Sequence, residues 1–147
     1  MTLSEYVLKR NGVPLGAKGS LPNNLRNALG AGNNADFWKY WNPIWGYYLA
    51  KFIYIPLGRH VPKWLATLAS FAVSGALHDL AVGLLGIAWQ SLFTCWFLVM
   101  GLFLIGARGL RIEYGQLPFL LRVGVNIATP VVCLGVTLLL RSVVVVG

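Results

Sequence analysis

The sequence predicts an all-α integral membrane protein: about three transmembrane helices, preceded by an aromatic helix that lies in the interface or re-enters the bilayer. Three observations carry that expectation. Apolar residues make up 57% of the chain and charged residues only 11%, against about 25% charged in an ordinary soluble domain. Three long runs, 64–88, 92–107 and 118–140, are free of charge or nearly so. The basic residues gather ahead of the first of them.

Twelve basic residues stand against four acidic ones, a net charge of +8. Such an excess first suggests nucleic acid, but the bases form no interleaved stripe. Lys9, Arg10, Lys18, Arg26, Lys39, Lys51, Arg59 and Lys63 precede the first apolar run, and Arg108 and Arg111 fall in the next long loop. That is the positive-inside pattern, with anionic headgroups as counter-charge. Membrane lipids are therefore the expected contacts, and no nucleic acid. The same rule puts the N-terminus and the 108–116 loop in the cytoplasm and the C-terminus on the opposite side. MTLSEYVLKR is followed by polar, glycine-rich sequence instead of an apolar h-region, so no secretory signal is expected there.

Residues 1–36 read as a polar cytoplasmic lead-in. NGVPLGAKGS, LPNN and GAGNN are dense in residues that favour turns, so loop punctuation is expected at Pro22–Asn24 and Gly30–Asn34. A short amphipathic piece with Leu3, Tyr6 and Val7 suits the membrane surface. Residues 37–147 form the membrane domain. Its first part, 37–58, contains Asn42-Pro43, a favoured N-cap followed by a favoured first helical residue, so a helix runs from Pro43 to about Tyr54. Its many rings suit the interface, and Pro56-Leu57-Gly58 ends it.

Trp64 to Ala88 is the first span, reaching ~38 Å at ~1.5 Å per residue against a ~30 Å hydrocarbon core. A short link, Trp89-Gln90-Ser91, makes the second span, Leu92 to Ala107, its antiparallel neighbour. Pro118 to Leu140 is the third, with Arg122 near its start placed to snorkel. Cys95 and Cys133 lie inside apolar runs and read as packing residues, and no disulfide or metal site is expected.

An ionisable side chain at membrane depth is expensive and is a functional-site hypothesis by default. His78 is the one histidine inside a long apolar run. Residues four apart share a helix face, so Ser70, Ser74 and His78 form one stripe and Gly75, Asp79 and Gly83 a neighbouring one. A ring shielded from water stays neutral, because a low dielectric penalises its cation, and a neutral imidazole accepts a proton. Two readings of His78 remain open: a general base, or a hydrogen bond across a helix interface of small residues. Asn42 by itself reads as a helix cap, and Asp79 either pairs with a basic side chain or orients His78 from a neighbouring element.

Taken together, FWKYWNPIWGYYLAKFIYIPLGR followed by SGALHD resembles the core of the membrane-bound O-acyltransferase family. There an aromatic W-x-x-W-N/H segment precedes an aromatic helix, and a helix bearing S-G-x-x-H follows. The resemblance covers residues 36–83 and implies acyl transfer from a thioester to a hydroxyl inside the membrane. It makes His78 the general base and Asn42 the residue that positions the donor or polarises its carbonyl. Trp38, Trp41 and Tyr48 would line the entrance, with Ser74 beside the histidine as a further substrate contact. Acyl-CoA or an acyl-carrier thioester is the implied co-substrate, and no bound cofactor is expected. Lys39, Lys51 and Arg59 would meet the phosphates of coenzyme A, or lipid. Three helices do not enclose a tunnel for two substrates, so a protein partner or self-association is expected to complete the membrane unit. The alternative is a non-catalytic small structural subunit of a larger membrane complex that retains the fold.

Overall fold

The computed structural model describes residues 1–87 and 91–146, and among these every regular element is helical. The chain divides into two units, Met1–Phe52 with Ala107–Ala128, and Ile53–Gly106 with Thr129 onward.

The first unit holds helices where a turn-rich lead-in was expected. α1 (Leu3–Asn11) opens with a capping box, in which the Thr2 hydroxyl accepts the Glu5 N–H and the Glu5 carboxylate accepts the Thr2 N–H. Gly12, at φ +77°, closes it with an N–H to the Leu8 carbonyl. α2 (Ser20–Leu29) contains Pro22 and Asn24 within its first turns, where a proline's missing N–H costs nothing. The asparagines that look like turn punctuation are cross-links instead. Asn11 Nδ2 donates to the Ser20 carbonyl and hydroxyl, Asn23 to the Asn11 carbonyl, Asn27 to the Arg10 carbonyl, and Asn24 to the Tyr40 carbonyl.

α3 (Asn34–Tyr40) is capped by Asn33, whose side-chain oxygen takes the Asp36 N–H at 2.7 Å. Its Phe37 is buried with Ala28 and Ala31 against Leu29, Trp38 and Tyr40. α4 (Pro43–Leu49) begins where Asn42-Pro43 predicts, and α1 packs on it through the Tyr6 and Tyr47 rings. The helix then widens into one π-helical stretch, Ala50–Tyr54, and ends in α5 (Ile55–Leu57). The extra residue of a π turn rotates the ring positions after it.

Three consecutive backbone carbonyl groups, from the last residue of α2 to Ala31, are fixed from the other end of this unit. Asn126, fully buried, donates to the Leu29 and Ala31 carbonyls and accepts the Tyr114 hydroxyl at 2.7 Å. Arg122 donates to the Gly30 carbonyl, so it does not snorkel to the membrane surface as expected: the acceptor was supplied by the chain itself. Gly32 and Gly115 run backbone to backbone, and a Cβ on Gly32 would come within 2.7 Å of the Gly115 Cα. Burial pushes the Tyr114 phenol above its usual pKa, and the nearby Glu113 and Asp36 carboxylates add to the shift.

Among the described residues, three helices are long and apolar enough to cross a membrane: α6 (Lys63–Leu84), α7 (Leu92–Gly109), and α8 (Phe119–Val146), the last over Phe119–Val143. α6 stops at Leu84, earlier than expected, and Gly86 at φ +77° turns the chain away. The expected link Trp89-Gln90 lies outside the described residues. α8 runs past Leu140 because neither Arg141 nor Ser142 breaks a helix.

Candidate functional site

In the second unit α6 and α7 are antiparallel, since Gly75 and Asp79 meet the start of α7 while Leu68 and Phe71 lie against Gly101. Gly75 makes the close approach possible. A Cβ there would fall 2.6 Å from both the Phe93 carbonyl oxygen and the Thr94 Cα. The small-residue stripe read from the sequence thus seats a helix at Gly75, whereas Gly83, two turns on, faces open space.

Asp79, one turn on, completes that junction. Its carboxylate accepts the Phe93 N–H at 2.9 Å, the Thr94 N–H at 2.8 Å and the Thr94 hydroxyl at 2.6 Å. The first N–H groups of a helix have no partner within it, and its N-terminus carries roughly half a positive charge. Asp79 answers both needs from a different helix. Sequence reasoning missed this role, because the donors lie fourteen and fifteen positions away in another element. A carboxylate late in one apolar run, with a Thr early in the next, was the available signal.

His78 sits beside this junction, partly buried, with its ring against Phe97 (4.9 Å between centroids) and Phe93 (5.9 Å). Its Nδ1 lies 2.6 Å from the Ser74 carbonyl oxygen. A carbonyl only accepts, so Nδ1 carries a proton, and the tautomer this bond selects has its lone pair on Nε2. The stripe of Ser70, Ser74 and His78 is real, and a backbone group of Ser74 meets the ring. Ser70 Oγ donates to the Ala66 carbonyl. Ser74 itself is buried.

Nearby, Trp96 Nε1 donates to the Pro130 carbonyl at 2.9 Å, joining α7 to the middle of α8. Cys133 is buried and Cys95 half-buried, both as free thiols.

The remaining expected site residues belong to the first unit. Asn42 is exposed and adopts the left-handed conformation (φ +43°), with its side-chain oxygen accepting the Trp45 N–H at 3.2 Å. That is the helix-cap role. Trp38 and Trp41 flank Phe37, Trp38 edge-on and Trp41 stacked at 5.5 Å, and Trp41 is exposed. Tyr48 is exposed and stacks almost parallel on Phe52 across the start of the π-helical stretch. Ser74 and His78 are therefore brought together in one unit, and Trp38, Trp41, Asn42 and Tyr48 lie within 37–52 of the other.

Fold and site define a helical integral membrane protein with one tautomer-fixed histidine set between two of its spanning helices. A sequence model of the membrane-bound O-acyltransferase family matches residues 16–134, and the chain belongs to that family. Its function is of the membrane-bound O-acyltransferase type. Comparison with curated proteins and with solved structures gave no match.

Proposed function

We propose that His78 is the general base for transfer of an acyl group from a thioester, acyl-CoA or acyl-carrier, to a hydroxyl acceptor within the membrane. The observation that carries this reading is the Nδ1–Ser74 carbonyl bond, which leaves the basic lone pair on Nε2. In the reaction Nε2 takes the acceptor's O–H proton as its oxygen attacks the thioester carbonyl. Collapse of the tetrahedral adduct breaks the C–S bond, and the departing thiolate takes the proton back from Nε2. The products are an ester and a free thiol, with the imidazole restored. A positioned base is worth roughly 10²–10⁴ in rate.

Asn42 would polarise the thioester carbonyl through its Nδ2 donor, since its oxygen is committed to the Trp45 N–H. Trp38, Trp41 and Tyr48 would meet the acyl donor at the entrance, and Ser74 would shape the floor beside His78. The clustering of bases before α6 and in the 108–111 loop supports a cytoplasmic N-terminus and a C-terminus on the far side. A partner chain or a second copy would lie against the apolar residues that α7 and α8 leave exposed, such as Leu102, Phe103, Leu138 and Leu139.

One set of observations favours a second reading, a structural subunit without turnover. Gly75, Asp79 and the Asn42 oxygen are all engaged in helix packing or capping. The test is to incubate the purified protein with radiolabelled acyl-CoA and a panel of long-chain alcohols and sterols, following ester formed and thiol released. Stoichiometric ester and thiol support transfer. Absence of both across the panel, from protein with intact helical content, supports the structural reading.

A further inference from the structure

The first unit contains a concavity of about 520 Å³ whose walls carry four cations. Lys9 and Arg10 come from the last turn of α1, Arg26 from the last turn of α2, and Arg122 from the first turn of α8. One acid lines it, Asp36, and that carboxylate is already bonded to Lys39 at 3.1 Å and to Asn33. None of these four bases belongs to the set that the sequence suggested for coenzyme A.

The protein's own structure does not neutralise this charge. Two helix C-termini supply roughly half a negative charge each, which offsets about one of the four cations. Arg10 has its Cζ over the Tyr6 ring, 3.8 Å from the centroid, and Arg122 is tethered through one terminal nitrogen to the Gly30 carbonyl. Both guanidinium groups are thus pre-oriented. Each also has an Nε–H shut off from water with no acceptor among the described residues. Like charges held around one hollow repel one another, and an anion seated among them removes that repulsion while gaining charge-assisted hydrogen bonds.

We propose that this concavity is a binding site for a phosphate group. Its volume falls within the ~300–1,000 Å³ of small-molecule sites, larger than phosphate alone needs. The ligand is therefore a phosphate ester, with its organic part against the Phe119 and Tyr40 rings that complete the lining. Such an ester can be water-soluble or the headgroup of a membrane lipid.

The test uses the full chain in neutral detergent micelles and calorimetric titration with inorganic pyrophosphate. A parallel titration uses short-chain phosphatidic acid, with the matching diacylglycerol as the phosphate-free control. Lys9 and Arg26 are exposed, and among the described residues neither side chain has a hydrogen bond or ion pair, so K9Q/R26Q removes two charges without breaking one. Saturable pyrophosphate binding, weakened about tenfold per removed cation, assigns a soluble ester. Saturable binding of phosphatidic acid alone, weakened likewise, assigns a lipid headgroup. The proposal is overturned if neither phosphate compound binds, or if diacylglycerol binds equally well. It is overturned too if K9Q/R26Q binds unchanged, or if R108Q/R111Q, outside this cavity, weakens binding to the same degree.

Discussion

The Nδ1 of His78 lies 2.6 Å from the carbonyl oxygen of Ser74, one helical turn earlier in the same helix. That bond decides which ring nitrogen is basic. Nitrogen-15 NMR of histidine-labelled protein in micelles should find His78 protonated at Nδ1, with the lone pair on Nε2. A ring protonated on Nε2 alone contradicts the assignment.

Asp79 caps α7 from a distance, and its loss should be felt at that junction. Asp79→Ala strands the Phe93 and Thr94 N–H groups, at about 1–3 kcal/mol for an unsatisfied buried donor. The thermal midpoint in micelles should fall, and Asp79→Asn, which keeps one acceptor oxygen, should fall less. Equal midpoints for all three proteins would remove the cap from the account.

Gly75 and Gly83 share a helix face but differ in surroundings, so they form a matched pair. Gly75→Ala forces a Cβ against the backbone of α7 and should cost about 1–3 kcal/mol. Gly83 has nothing within 4 Å of a built Cβ, so Gly83→Ala should be neutral or stabilise by up to about 1 kcal/mol. Denaturation of the two variants side by side checks the ordering.

Tyr114 should make the first unit sensitive to alkali. Its folded pKa is raised by burial, so the phenol is held neutral in the fold while the unfolded chain ionises more readily. The stability it contributes is complete below the ordinary tyrosine pKa of about 10 and is lost as pH climbs through and above that value. A phenolate also cannot donate to Asn126 Oδ1. Helical content followed from pH 8 to 12 should show a loss that Tyr114→Phe shifts to higher pH, at the cost of lower stability near neutrality. An identical alkaline profile in both proteins contradicts this.

The spans were legible because a charge-poor run of some twenty residues has few fates, and Asn42-Pro43 marked the start of α4 through local chemistry alone. Within the first thirty-six residues the break at Gly30–Asn34 was legible, since α2 ends at Leu29 and α3 starts at Asn34, but the helix over Pro22–Asn24 was not, and the reason is specific. Asn11, Asn23, Asn24 and Asn27 have the composition of a loop, yet each side chain donates to a backbone carbonyl of another segment. Propensity sees the residue and not the partner. Arg122 was misread for the same reason, since the Gly30 carbonyl that holds it is ninety-two positions away. At the site, the pairing of Ser74 with His78 followed from helical period, whereas the part played by the Ser74 backbone carbonyl did not.

The most direct test of the account compares acyl transfer by the native protein and by His78→Ala, purified in the same micelles and matched in helical content. Single-turnover transfer of a labelled acyl group to a hydroxyl acceptor should fall by roughly 10²–10⁴ in the variant. A variant that transfers at the native rate would contradict His78 as the base.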